Sequence, residues 1–177
     1  ALYADISNRV MAIVAAFSPR HEVYSIDECF ADLTGIPKVR DVSYAIRERV
    51  GRWTGIPVCV GIGPTKTLAK LANHVAKTAE RKPGSYPSKL AQVCNLAQLP
   101  REDLDAVLDS TDVGEVWGVG RKIAAQLKVA GIETVLDLAR LDPATVRRRW
   151  SVVLERTVRE LQGMPCIGLD DQPPPTK

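Results

Sequence analysis

The sequence predicts an α+β fold: a small mixed sheet with helices on one face, followed by an all-helical segment. Over the first 86 residues, apolar residues at helical spacing alternate with short β-rich runs. After residue 112, only helical spacing and glycine-rich turns remain. At 177 residues the chain is long enough for one domain or two small ones.

Residues 1–86 are predicted to form, in order, a helix, two strands, a second helix, a buried strand, a third helix and a short last strand. Apolar residues from Leu2 to Phe17 recur at helical spacing, and Pro19 follows them. The remaining predicted elements are strands at 21–26 and 29–33, a helix at 41–53, a buried strand at 56–62, a helix at 65–79 and a short strand at 85–86. This order is similar to a ferredoxin-like unit that lacks its first strand.

Two adjacent carboxylates, Asp27 and Glu28, interrupt the β-rich segment between Tyr24 and Phe30. Acidic side chains are disfavoured in strands unless a partner stabilises them. Mg²⁺ is a candidate partner because it takes hard oxygen ligands, usually one or two carboxylates with substrate phosphates. The alternative is an acidic pair that closes a turn or faces water.

The helix predicted at 65–79 carries lysines opposite its apolar stripe, namely Lys66, Lys70 and Lys77. Glycines at 61 and 63 precede it, and glycine lets a phosphate approach the backbone amides of a helix N-terminus. The lysines therefore suggest contacts to phosphates. The alternative is an ordinary solvated helix face.

Residues 113–138 have the pattern of a helix-hairpin-helix module. Gly118, Val119 and Gly120 are followed at once by Arg121 and Lys122. Glycines leave the amides of this turn open to a DNA phosphate, and the two cations add charge there. A helix with Ile123, Leu127 and Val129 on its apolar face follows, and another starts at Val135. The alternative is a hairpin that needs glycine only for its turn.

Composition excludes some classes of protein. No apolar run approaches the roughly 18 residues of a membrane span, and no cysteines have the spacing of a zinc site. Basic residues outnumber acidic ones in residues 1–85 and 114–166, whereas residues 86–113 are acidic. The chain starts without Met or a charged leader, so we expect a fragment.

Three motifs in order resemble the Y family of translesion DNA polymerases, and within it the UmuC group. They are residues 25–28, 61–73 and 116–120, and the likeness extends over essentially the whole chain. The resemblance implies a palm in residues 1–86, a connector in 87–112, a helix-hairpin-helix thumb in 113–168 and a linker in 169–177. It also implies that the first strand, the fingers and the little-finger domain of such an enzyme are absent here.

The resemblance assigns roles to individual residues. Asp27 and Glu28 would be the metal-binding and catalytic carboxylates of a two-metal Mg²⁺ site that is incomplete here. Lys77 would contact the nucleotide triphosphate. Residues 118–122, with Lys66 and Lys70, would contact DNA.

The implied function is error-prone, template-directed synthesis past DNA damage in the SOS response. The implied partners are primer–template DNA and dNTPs and, for the intact protein, a UmuD-type activator subunit, a RecA-type filament and a sliding clamp. A cytoplasmic location without membrane contact is expected. The alternative is a non-catalytic DNA-binding or scaffold protein in DNA repair, in which the hairpin is the working part.

Overall fold

The computed structural model describes residues 2–169 and confirms the α+β class. The chain separates into two compact units, one running to Val60 and another spanning Gly61–Ile167. The helices are α1 (Leu2–Phe17), α2 (Val39–Thr54), α3 (Lys66–Arg81), α4 (Arg101–Asp109), α5 (Arg121–Val129), α6 (Val135–Ala139), α7 (Pro143–Arg149) and α8 (Val152–Leu161). The strands are β1 (His21–Val23), β2 (Cys29–Ala31), β3 (Val60–Ile62) and β4 (Val93–Asn95). Short 3₁₀ helices cover Ser88–Leu90, Leu96–Gln98 and Val113–Glu115.

The part of the chain that the structure describes has no helix with both the length and the apolar character needed to cross a bilayer. The palm, connector and thumb boundaries at residues 86 and 112 stay predictions. Most of the predicted C-terminal linker, residues 170–177, lies outside the described residues.

The first unit is built on α1 and α2. Its core consists of Ile13 and Val14 from α1 with Ile46 and Val50 from α2, and Val50 is fully buried. The helical spacing therefore predicted α1 correctly, but its apolar stripe is buried only toward the C-terminus. Leu2, at the other end, is 71% exposed.

The strands are shorter than predicted. β1 and β2 pair antiparallel, with His21 opposite Ala31 and Val23 opposite Cys29. The buried strand expected at 56–62 is reduced to β3, because Pro57 has no N–H to donate to a ladder and the Val58 carbonyl accepts a hydrogen bond from Arg47 Nε at 2.6 Å. Instead of one mixed sheet, the described residues form two two-stranded sheets.

The strand expected at residues 85–86 is wrong. The partner of β3 is β4, which lies further along the chain. Tyr86 is instead a buried side chain whose hydroxyl lies 2.7 Å from Thr111 Oγ1. The backbone of residues 85–86 belongs to none of the four strands of the described residues.

The core of the second unit draws on α3, α5 and α8. Val75, Leu127 and Val158 are fully buried. Val129 was expected on the apolar face of α5, but it is 91% exposed because it is the last residue of that helix and precedes a turn at Gly131. The buried face of α5 therefore ends at Leu127.

Candidate active site and nucleic-acid interface

The acidic pair lies in a turn and not in a strand. Residues 24–28 connect β1 to β2, and the amides of Tyr24 and Ser25 both donate to the Glu28 carbonyl, at 3.0 and 3.1 Å. Ile26 is 59% exposed, so the apparent alternation of apolar residues in this segment does not reflect a buried strand face. The expectation of in-strand carboxylates is therefore corrected.

The turn presents Asp27 to solvent and fixes its orientation. Ser25 Oγ donates a hydrogen bond of 2.6 Å to Asp27 Oδ1. Ser7 Oγ donates to the Ile26 carbonyl, which ties the turn to α1. Glu28 is half-buried next to it. Two neighbouring carboxylates with a hydroxyl are hard oxygen donors of the kind that Mg²⁺ prefers, but residues 2–169 contain no cluster of three or more acidic, histidine or cysteine ligands.

The glycines before α3 serve close packing. A Cβ atom on Gly61 would lie 2.1 Å from the Asn73 nitrogen and 2.4 Å from the Ala69 oxygen. One on Gly63 would lie 2.8 Å from the Ala69 nitrogen. The strand therefore rests directly on the backbone of α3, which only glycine permits.

The N-terminus of α3 is bonded to other parts of the protein. Thr65 Oγ1 accepts from the Leu68 amide at 3.2 Å, which is a standard N-cap. Glu160 Oε1, from α8, accepts from the Thr67 amide at 3.1 Å. These two amides are not available to a phosphate, contrary to the expectation from the glycine-rich turn.

The three lysines of α3 have different surroundings. Lys66 is only 7% exposed. Lys70 is half-buried, and its Nζ lies 5.6 Å from the centre of the Trp117 ring. Lys77 is exposed near the C-terminal end. Lys66 is therefore buried, contrary to its predicted place on an exposed lysine face, whereas Lys77 is exposed; the contacts of the three lysines to phosphates stay predictions.

The hairpin before α5 exposes the groups expected to meet DNA. Gly118, Gly120, Arg121 and Lys122 are exposed, whereas Val119 is buried and anchors the turn. Gly118 has φ +87°, a left-handed conformation that favours glycine. A Cβ on Gly120 would meet nothing within 4 Å among the described atoms, so its backbone faces open space. Gly120 caps α5 without a side-chain hydrogen bond.

Asp112 holds the base of the hairpin. Its carboxylate accepts from the Gly114 amide at 2.8 Å and from Lys128 Nζ at 2.7 Å. The hydrogen bond from Lys128, with that from Gly114, lowers the pKa of Asp112. His74 Nδ1 of α3 also lies 3.5 Å from Glu115 Oε2, which adds a second link from α3 to this segment beside the Lys70–Trp117 contact.

Sequence reasoning missed Glu160 and Asp112. Neither belongs to a motif, and each acts on a backbone segment that the tertiary fold brings to it. One signal was present for Asp112: an acidic residue directly before a glycine-containing turn is a frequent cap. Glu160 gave no such signal, because its partners lie 93 positions away or beyond the end of its helix.

Family models match both parts of the chain. The impB/mucB/samB family model matches residues 1–74, and the model of the IMS family HHH motif matches residues 101–132. UmuC of Salmonella typhimurium is 46% identical over 176 residues, which is 98% of this chain and 40% of that protein. The chain belongs to the impB/mucB/samB family. MucB of Escherichia coli is 43% identical over 98% of the chain and 40% of its own length.

More distant relatives and solved structures agree with the family. DNA polymerase IV 2 of Bacillus subtilis is 31% identical over 85% of the chain and 34% of that protein. A DinB family error-prone DNA polymerase from Sulfolobus solfataricus has a TM-score of 0.68 at 21% identity, covering 97% of this chain and 47% of that one. At that identity the match shows the fold. The chain spans about two fifths of the length of UmuC and MucB.

Proposed function

We propose that this chain supplies the palm and thumb of an error-prone DNA polymerase that copies past damaged bases. The observation that carries the proposal is the 46% identity to UmuC over nearly the whole chain. The exposed acidic turn and the exposed basic hairpin are consistent with it. The proposed palm is residues 1–86, and the proposed thumb is residues 113–168.

Asp27 and Glu28 are the proposed catalytic carboxylates. Mg²⁺, when bound to them, would offset charge on the triphosphate and activate the primer 3′-hydroxyl. The turn prepares the carboxylates for this role, because the Ser25 hydroxyl restrains Asp27 and two amide bonds to the Glu28 carbonyl fix the backbone. The pair provides part of a two-metal site.

Lys77 is the proposed contact to the nucleotide triphosphate. Lys77 is exposed on a helix whose opposite face is fully buried at Ala72 and Val75. A flexible lysine acts on phosphate as a point charge and needs no fixed geometry. The helix therefore sets the approximate position of the Lys77 charge, and rotation of the flexible side chain brings the ammonium group to the phosphate.

The hairpin is the proposed contact to the primer–template backbone. The first amides of α5 lack partners within the helix by geometry, and Gly120 leaves them open. Arg121 and Lys122 are exposed beside them. Contacts of this kind position a duplex without reading its bases, which suits an enzyme that must tolerate damaged templates.

Further partners rest on the family resemblance. A UmuD-type activator subunit, a RecA-type filament and a sliding clamp are proposed for the intact polymerase, as are dNTPs as substrates and a cytoplasmic location. Pull-down of each of the three protein partners by this chain, in the presence and absence of DNA, would test these partners one at a time.

Duplex binding tests the hairpin. Replacing Arg121 and Lys122 together with alanine should weaken binding of a primer–template duplex to this chain. The plot of the logarithm of the binding constant against the logarithm of the salt concentration has a negative slope. Its magnitude should decrease by about 2, because each lost phosphate contact contributes about 0.9. Lys89→Ala is the matched control, since Lys89 is an exposed lysine paired with Asp103 outside the hairpin. An unchanged slope in the double variant would contradict the assignment.

Asp27→Asn separates the polymerase from a scaffold. The variant is made in Salmonella UmuC in which this chain replaces the matching segment, and primer extension is measured with Mg²⁺. Loss of extension with DNA binding retained is the expected result. Extension equal to that of the unmutated chimera would favour the non-catalytic alternative. This chain by itself is expected to give no robust extension.

A further inference from the structure

Glu160 is a fully buried carboxylate that the proposed chemistry does not use. It lies in the last turn of α8 and is 0% exposed. Oε1 accepts from the Thr67 amide at 3.1 Å and from Thr67 Oγ1 at 3.0 Å. Oε2 accepts from the Cys166 amide at 2.7 Å and from the Ile167 amide at 3.3 Å. Each oxygen therefore faces two donors.

These donors match a carboxylate better than any neutral group. An ionised carboxylate accepts at both oxygens, whereas a glutamine amide would turn an NH₂ group toward two of the N–H or O–H donors. A buried charge is tolerated only with such complete hydrogen bonding. The N-terminus of α3 adds a favourable partial positive charge. The Glu160 carboxylate thus lies at the N-terminus of α3, which is the position where a helix can bind a phosphate.

The same helix, α8, also lies next to the hairpin that is proposed to contact DNA. Thr157 Oγ1, one turn before Glu160, would lie 3.6 Å from a Cβ on Gly118. On the other side, α3 meets the hairpin through Lys70, whose Nζ lies 5.6 Å from the centre of the Trp117 ring. All of these residues belong to the unit that spans Gly61–Ile167.

We propose that Glu160 is a positioning residue that clamps α3 to α8 and so sets the position of Lys77 relative to the hairpin. Lys77 follows Thr67 by ten residues, which is about 15 Å along the helix axis. A change in the direction of α3 at its first turn would therefore displace the Lys77 ammonium far more than the hairpin. This inference rests on the proposed role of Lys77.

The clamp itself is tested by amide hydrogen exchange and chemical rescue in this chain. Glu160→Ala should accelerate exchange of the Thr67 and Cys166 amides at least tenfold, since bonds to a buried charge are the strong ones. Acetate, which fits the volume vacated by the side chain, should slow exchange again. Acetamide and sodium chloride at matched concentration should not. Exchange that is unchanged in the variant, or rescue by acetamide as good as by acetate, would overturn the clamp.

Glu160→Gln is a second variant of nearly unchanged volume, in case the alanine variant fails to fold. It should accelerate exchange at whichever of the Thr67 and Cys166 amides faces the NH₂ group, because the remaining carbonyl oxygen can still accept from the other pair of donors. Wild-type exchange at both amides would overturn the anionic role of Glu160. The exposed Glu102→Gln is the matched control for a loss of charge elsewhere.

The positioning role is tested by a double-mutant cycle in the UmuC chimera. E160Q should raise the KM for dNTP about tenfold and leave the affinity for primer–template DNA unchanged. In a K77A background, E160Q should add little further loss, because both changes remove the same contact. Additive effects would overturn the positioning role. If K77A alone left the KM unchanged, the proposed role of Lys77 and the positioning role would both fail, while the exchange data would still decide the clamp.

Discussion

Replacing Gly61 with alanine should destabilise the unit that contains α3, because the new methyl group has no room. Its Cβ would lie 2.1 Å from the Asn73 nitrogen, whereas ordinary contacts begin at 3.4 Å. The obstacles are backbone atoms, so no side-chain rotation can relieve the clash and β3 must move off the helix. Overpacking a core costs about 1–3 kcal/mol, and a backbone clash belongs at the upper end. At about 2–4 °C per kcal/mol for a chain of this size, a loss of about 3 kcal/mol lowers Tm by about 6–12 °C.

Gly51→Ala is the matched control in the same assay, thermal unfolding followed by circular dichroism. Gly51 lies within α2, and a Cβ there meets nothing within 4 Å among the described atoms. Alanine should therefore stabilise that helix by about 0.5–1 kcal/mol. If Gly61→Ala unfolded at the same temperature as the parent chain, β3 could not lie on the α3 backbone. The glycine-rich turn would then need another explanation, such as phosphate binding.

Three further changes test the hairpin region. Hydrogen bonds from Lys128 to Asp112, and from the Thr134 amide to Asp137, lower the pKa of each carboxyl. The stabilisation from these two carboxylates is therefore present above the unfolded-state pKa of about 3.9, and it is lost as the pH falls through the lower pKa of the folded state. In urea unfolding, the Asp112→Asn variant should therefore lose less free energy of unfolding on acidification than the parent chain does. Thr134→Ala removes the capping box of α6 and should cost about 1 kcal/mol in urea unfolding; no change would show that this cap is dispensable. Val129→Lys should change stability by less than about 0.5 kcal/mol because Val129 is 91% exposed, and a larger loss would show that a partner covers it.

Helices were predictable because their signals are local. The apolar spacing of α1, the glycine after α2 and the threonine before α3 each act within a few residues of the element they define. Gly55 follows α2 with φ +71°, and Thr65, predicted as the first residue of the helix at 65–79, is its N-cap. Strands were predicted less well, since pairing depends on a distant partner and a proline at position 57 already limits the ladder.

The candidate functional residues divide in the same way. Asp27 and Glu28, and the exposed hairpin around Gly118, could be selected from motifs because residue type and order are enough to suggest their chemistry. The surroundings of Lys66 could not be selected in this way. Its position opposite the apolar stripe favours exposure to solvent, but Lys66 is only 7% exposed.

The sequence by itself determined the family, the main helices and which residues are candidates for chemistry, because these depend on residue identity and short-range order. Only the tertiary structure decided that the acidic pair lies in a turn and that Gly61 and Gly63 serve packing. It also decided that the Glu160 carboxylate accepts a hydrogen bond from the first turn of α3. Those three results depend on which atoms meet across long sequence separations. No local pattern encodes such meetings, because close packing and buried hydrogen bonds are properties of the assembled core.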